Sequence, residues 1–217
     1  MQSDAGGVRY RLARATDAAH IAALHADSWR RFYRGMFPDE YLDNDVEADR
    51  ATVWHERFNR ADPQPATLTV LAELGDDLVG FAHSIVDEDP EWGTLLDNLH
   101  IRHDAQRLGI GTRLMAETAT WLRDSGNTST LYLWVLEANT RARRFYEALG
   151  GQPAGEGISS DGGSNAPSLR IWWPLLALLS KHLLEKHQAS AARQDLWRRP
   201  DRMSQTLRLA QGDDVFA

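Results

Sequence analysis

The sequence predicts an α/β domain with helices flanking a central sheet, and three stretches carry that prediction. Residues 95–121 read as a buried strand (Leu95, Leu96, Leu99, Ile101), a polar turn over 102–107 and an amphipathic helix with Leu114, Met115, Ala119 and Leu122. Residues 67–86 alternate on both sides of Gly75-Asp76-Asp77, which is the pattern of an antiparallel hairpin. Residues 131–150 give a second strand apolar on both faces and then a capped helix. A strand apolar on both faces is one that is covered on both.

The 217 residues suit one domain with a sizeable core, and 42% hydrophobic with 25% charged residues is ordinary for a globular chain. No apolar run reaches membrane-spanning length, and the first residues lack a basic-then-apolar signal, so no membrane and a cytoplasmic setting are expected. The absence of cysteine excludes disulfides, thiolate metal sites and a cysteine nucleophile. A formal charge of −7 opposes a nucleic-acid partner, since such proteins normally present a basic face.

Residues 1–7 read as a leader and 8–12 as a first strand. Thr16-Asp17 is the expected cap of a helix carrying Ile21, Leu24, Ser28 and Phe32, with His25, Trp29 and Tyr33 on its other face. Gly35 ends it, Pro38 starts a short helix, and a further helix carries Val53, Trp54 and Phe58. Acids at 39, 40, 43, 45, 47 and 49 form either a solvated surface or a cation-binding face. An acidic loop, 87–91, precedes the strand at 95. After the break at 125–127 and the strand 131–136, Asn139 caps a helix whose apolar stripe is Ala142, Phe145 and Leu149, with Gly150 as its stop. Tyr146 lies beside that stripe. Strands at 152–158 and 168–173 flank a Gly/Ser/Asn-rich loop. A helix over 175–187 and a polar tail over 188–217 complete the reading.

The chemistry concentrates at Gln106-Arg107-Leu108-Gly109-Ile110-Gly111-Thr112. Glycines at a helix start let the backbone approach a ligand, and the first N–H groups of a helix are unpartnered at its positive end, so the seam suits a phosphate. Position 114, where a dinucleotide fingerprint needs its third glycine, is Leu.

The hexapeptide matches Q-x-x-G-x-G, and Asn139-x-x-Ala142-x-x-Phe145-Tyr146 with Gly150 follows it by about 30 residues. Together, over about residues 8–174, these resemble the GNAT superfamily of N-acetyltransferases. Trp29-Arg30-Arg31-Phe32-Tyr33-Arg34-Gly35 also resembles a bacterial branch with a W-R-x-x-Y-R-G element. The resemblance implies a mixed sheet splayed between strands near 95–101 and 131–136, with acetyl-CoA as co-substrate in the gap. It implies that Leu99, His100 and Ile101 hold the pantetheine, 106–112 the pyrophosphate, Asn139 the pantetheine arm, and Arg144 or Arg141 the adenosine phosphate. A backbone N–H near Ile101 would stabilise the oxyanion, and Tyr146 would protonate the departing thiolate.

Some members place a glutamate six residues before the position of Ile101; here that residue is Leu95, which cannot act as a base. Asp97 shares its face in an unbulged strand, with Asn98 pointing the other way. Asp97 is therefore the expected base and acceptor contact, ahead of His100, His83 and Glu73. Trp29 and Tyr33 are the other acceptor-binding candidates. His100-x-x-His103 offers two ligands at most, so no metal is expected. The expected function is acetyl transfer, through a ternary complex, to a primary amine of a small cationic molecule or peptide. A GNAT-fold module that holds acyl-CoA without turnover is the alternative, and a homodimer is compatible with either.

Overall fold

The computed structural model describes residues 7–60, 66–126 and 130–173. Its element order is β1 (Val8–Leu12), α1 (Ala18–Phe32), α2 (Val46–Asn59), β2 (Thr67–Leu74), β3 (Asp77–Asp89), β4 (Gly93–Ile101), α3 (Ile110–Asp124), β5 (Leu131–Leu136), α4 (Thr140–Ala148), β6 (Gln152–Ser159) and β7 (Ala166–Trp173). The seven strands form one sheet in the order β1-β2-β3-β4-β5-β7-β6. Every neighbouring pair is antiparallel except β4 with β5. A parallel pair needs a crossover, and α3 supplies it.

Alternation along the strands loads both faces of the sheet. Leu68, Val70 and Ala72 of β2 join Ala82, Leu96, Leu131 and Leu133 beneath Ile110, Leu114, Met115, Ala119 and Leu122 of α3. Leu71 and Phe81 turn the other way, to Ile21 and Leu24 of α1 and Trp54 of α2. Leu114 is fully buried, so truncating it to alanine would cost about 2–5 kcal/mol.

Several boundaries differ from the sequence reading. Asp17 makes no side-chain cap to α1. Its carboxylate instead takes both Nη atoms of Arg11, at 2.7 and 2.8 Å, and the Arg14 N–H at 2.7 Å, closing a 3-10 turn. The helix expected at Pro38 and the one after it are continuous: the chain is helical from residue 39, passes a π turn over Tyr41–Asp45, and enters α2 directly. Strand β3 runs on to Asp89, shortening the acidic loop. The expected helix at 175–187 and tail at 188–217 lie outside the described residues.

Candidate active site

β4 and β5 pair only at Thr94–Leu131 and Leu95–Tyr132, and then part. Beyond that point β5 continues against β7 while β4 continues against β3, so the two strands diverge within the sheet. A cleft of about 770 Å³ occupies the gap, lined along β4 by residues 96–101 and along β5 by residues 133–136.

One end of the cleft is built from backbone. Arg107 (φ 65°) and Gly109 (φ 81°) are both left-handed, and such an alternation gathers N–H groups into an anion-binding concavity. The Arg113 N–H bonds the Gly109 carbonyl at 3.0 Å, so the N–H groups of Ile110, Gly111 and Thr112 precede the first helical bond of that register. A Cβ on Gly111 would lie 3.2 Å from Phe145 Cζ and 3.3 Å from Ile101 Cδ1, so glycine there lets α3 close on α4 and β4. Gln106 donates to the Ile101 carbonyl at 3.3 Å and accepts from Arg141 Nη2 at 2.6 Å, bridging the parted elements. Asn139 caps α4, its side chain accepting from the Ala142 N–H at 3.1 Å. Tyr146, two turns on from Asn139, is buried against Phe145 and Trp173 and lines the cleft. Burial pushes its hydroxyl pKa well up, so the group stays protonated.

The other end is built from side chains of α1, α2 and β4. Trp29 stacks on Tyr33 at 5.5 Å between centroids and carries the Arg50 guanidinium 4.3 Å over its ring. Burial pushes Tyr33 up to about 12, with Asp161 adding to the rise. His100 bonds Ser28 Oγ through Nδ1 at 2.8 Å and packs on His25, which takes the Trp54 indole N–H at 3.0 Å. His83 bonds Thr69 Oγ1 at 2.7 Å. Burial, aided by the positive field of Arg50, holds His100 down at about 3; burial and Arg57 do the same for His83. His25 is driven well below its ordinary value for the same reasons. All three imidazoles are neutral near pH 7, which suits them to hydrogen bonding and poorly to accepting an amine proton.

Asp97 sits at a β-bulge. His83 pairs with Asn98 and Ser84 with Leu96, leaving Asp97 without a counterpart on β3. The extra residue breaks the alternation, so Asn98 does not point away as an unbulged strand would require; its amide donates to the Asp97 carboxylate. Arg57 Nη2 reaches the same oxygen, Oδ2, at 2.6 Å.

The cleft thus gathers most of the residues marked in the sequence: Trp29, Tyr33, Asp97, the strand 99–101, Gln106, Arg107, Gly109 to Thr112, Asn139 and Tyr146. Leu108 is 48% exposed and Arg144 is exposed, and neither lines it; Arg141 does. Glu73 is held in a structural cluster with Arg9 and Arg11 at 2.7 and 2.6 Å. His103 lies on an exposed turn stacked on Phe32, apart from the Ser28-bound ring of His100. None of residues 39–49 lines the cleft; Asp39 and Asp43 bind Arg34, and Glu47 binds Arg30. Sequence reasoning missed Arg50 and Arg57. The signal was there: with Val46 and Trp54 they recur at helical spacing on the inward stripe of α2, where arginine is out of place.

A cleft between parting parallel strands, with the first N–H groups of α3 at one end and a protonated tyrosine within it, is the arrangement on which the comparisons with known proteins bear. The chain belongs to the acetyltransferase (GNAT) family, whose model matches residues 22–151. It is 28% identical over 181 residues to the uncharacterized N-acetyltransferase YuaI of Bacillus subtilis, covering 82% of this chain and 99% of that one. It is 29% identical over 143 residues to the probable N-acetyltransferase Rv2775 of Mycobacterium tuberculosis, covering 64% and 77%. In fold it is similar to the PaiA N-acetyltransferase of Thermoplasma acidophilum, solved in complex with coenzyme A, with a TM-score of 0.59 at 17% identity over 77% of this chain and 99% of that one. The protein is accordingly an N-acetyltransferase of the GNAT fold. No helix among the described residues is long and apolar enough to cross a membrane.

Proposed function

We propose that the protein moves the acetyl group of acetyl-CoA directly to the primary amine of a small molecule or peptide, within a ternary complex. The observation that carries this reading is the parting of β4 from β5 after Leu95 and Tyr132, which leaves the edge of β4 facing the cleft between the 107–112 loop and Tyr146. An extended pantetheine can add to that edge at Leu99 and Ile101 as a strand would. The N–H groups of the loop fit a pyrophosphate. Arg141, which lines the cleft, is better placed than Arg144 for the adenosine phosphate.

In the transfer, the amine nitrogen forms its bond to the thioester carbonyl carbon as the carbon–sulfur bond breaks. A β4 backbone N–H near Ile101 stabilises charge on the carbonyl oxygen. Tyr146 gives its proton to the leaving sulfur. The acceptor's amine is a cation until it loses a proton, which Asp97 takes directly or through water; the second proton that the nitrogen sheds on becoming an amide returns through water to the Tyr146 phenolate. The small cationic molecule or peptide expected from the sequence would set its ammonium against Asp97 and Asp161, the carboxylates on the lining.

Thiol release measured over a panel of primary amines tests the reading. Amine-dependent release with intersecting initial-rate lines is expected, since no acyl-enzyme forms. Parallel lines would indicate a covalent intermediate and overturn direct transfer; acetyl-CoA binding with no amine-dependent release would reduce the protein to a binding module. Asp97→Asn should lower turnover about tenfold near neutral pH and recover with acceptors of lower amine pKa. A loss independent of amine pKa would make Asp97 a clamp for Arg57 alone.

A further inference from the structure

Two cations occupy the acceptor end of the cleft, and the proposed acetyl transfer assigns them no role. Residues 46, 50, 54 and 57 fall on one face of α2. Val46 and Trp54 of that face are fully buried, whereas the Arg50 and Arg57 side chains, 12% and 25% exposed, line the cleft. We infer that the acceptor carries a carboxylate as well as its amine, and that Arg50 and Arg57 hold that carboxylate. The inference rests on the cleft being the acetyl-transfer site and narrows what that site accepts.

A guanidinium has five N–H donors, and a charge on an inward stripe is costly unless they are used. Arg50 pairs through Nη2 with Asp49 at 2.8 Å, and Asp49 also accepts the Tyr41 hydroxyl. Arg57 pairs through Nη2 with Asp97 at 2.6 Å. Arg50 Nε and Arg57 Nη1 are buried with no hydrogen-bond partner among the described residues. Both guanidiniums lie over indoles, Arg50 over Trp29 at 4.3 Å and Arg57 over Trp54 at 4.9 Å, and the unused donors, closed to solvent in this structure, become available to a ligand as the side chains turn on those rings.

Each guanidinium is met by one carboxylate, Asp49 for Arg50 and Asp97 for Arg57, while donors on both remain unused. His100 and His83 on the sheet and His25 on α1 are neutral, the carboxylates lining the cleft are Asp97 and Asp161, and Asp49 stands behind Arg50. Arg57 and Asn98 share Asp97 Oδ2, which leaves its other oxygen for the acceptor's amine. A planar carboxylate matches the fork of a guanidinium and can take the unpaired donors, whereas a polyamine would set further positive charge against both arginines. An amino acid or a peptide terminus with a nearby amine meets the requirement.

The test pairs each acceptor with its own neutralised form: α- and ω-amino acids of increasing length against their carboxamides, their phosphonate analogues and simple polyamines, read as kcat/KM by thiol release. At least one amino acid should exceed its carboxamide by roughly tenfold or more, as expected where a site's donors are left unpaired by the analogue. Arg50→Gln should collapse that ratio toward one, chiefly through KM, while Arg50→Lys keeps part of it; thermal melts confirm that both variants fold. Equal rates for acid and amide, a preference for phosphonates or polyamines, or a ratio unchanged in Arg50→Gln overturns the inference. Should no amine release thiol, acetyl transfer to small amines fails as a reading, and calorimetry of acids and amides on the CoA-saturated protein decides the inference separately. Arg50-dependent binding of the acid sustains it; indifferent binding ends it.

Discussion

The two halves of the cleft are made of different material. The half proposed for the cofactor is backbone: left-handed turns at Arg107 and Gly109, the first N–H groups of α3, and a strand edge on β4. The acceptor half is side chains brought from far apart in sequence, such as Trp29 of α1, Arg50 and Arg57 of α2, and Asp97 of β4. A ligand common to a family can be held by backbone, which any side chain leaves intact. A ligand particular to one protein has to be read by side chains. Changes in one half should therefore register in cofactor binding and changes in the other in acceptor binding, with Tyr146 between them acting on the chemical step.

The largest effect should come from Tyr146→Phe. The change keeps the ring against Phe145 and Trp173 and removes only the hydroxyl. A general acid is typically worth about 10²–10⁴-fold, so kcat should fall within that range while acetyl-CoA affinity moves by no more than about threefold. Full kcat with a good acceptor would make the tyrosine a packing residue.

Next is Gly109→Glu, confined to the cofactor half. It forces a side chain into a left-handed position, φ 81°, and sets a negative charge where a pyrophosphate is to bind. Calorimetry should show acetyl-CoA affinity reduced on the order of 100-fold, with acceptor KM at saturating cofactor little changed where it can be measured. Equal damage to both parameters would erase the distinction between the halves.

The acceptor half also has a pH signature. His83 and His100 are held at about 3, and His25 lies well below its ordinary value, so the folded protein keeps all three neutral while the unfolded chain protonates them below about 6.5. The unfolded state then binds more protons, and stability falls as pH falls from about 6.5 toward 3. The slope is as much as about 1.4 kcal/mol per pH unit for each histidine. Thermal melts at pH 7.5 and pH 5 should differ by roughly 10–20 °C. An unchanged melting temperature would mean that the imidazoles ionise freely in the folded protein and that burial does not hold them neutral.

The same division explains what could be read from the sequence. The glycine spacing at 109 and 111, the Asn139 cap and the apolar runs at β4 and β5 are local patterns, and each lies where its pattern put it. Asp97 was legible only as a residue: the bulge that aims it depends on register with β3, which periodicity along β4 does not encode. Arg50 and Arg57 share the inward stripe of α2 with Val46 and Trp54, a spacing visible in the sequence, but the rings of Trp29 and Trp54 that hold them there come from the fold. The acidic run left two readings open, a solvated surface or a cation-binding face; Asp39, Asp43 and Glu47 pair with Arg34 and Arg30 at the corner between α1 and α2, and none of residues 39–49 lines the cleft.

The smallest effect is expected from that run, and it sharpens the comparison most. Arg34 binds Asp39 at 3.0 Å and also Asp43, and Arg30 binds Glu47 at 3.0 Å while its Nε bonds the Leu42 carbonyl at 3.2 Å. These pairs tie the end of α1 to the helix that begins at residue 39, and exposed charges of this kind are screened beyond about 8–10 Å at ordinary salt. Replacing Asp39 and Asp43 by Asn and Glu47 by Gln together, with Asp49 kept for its bond to Arg50, should lower the melting temperature slightly. The KM for amino-acid acceptors should stay within about twofold of the parent, because none of the three lines the cleft. A polycation drawn in by the run would behave differently: its KM would rise several-fold in the triple variant and again at high salt, and Arg50→Gln would improve it. Initial rates for one amino acid and one polyamine, in both variants and at two salt concentrations, separate an acceptor held by Arg50 and Arg57 from one attracted by the acidic corner.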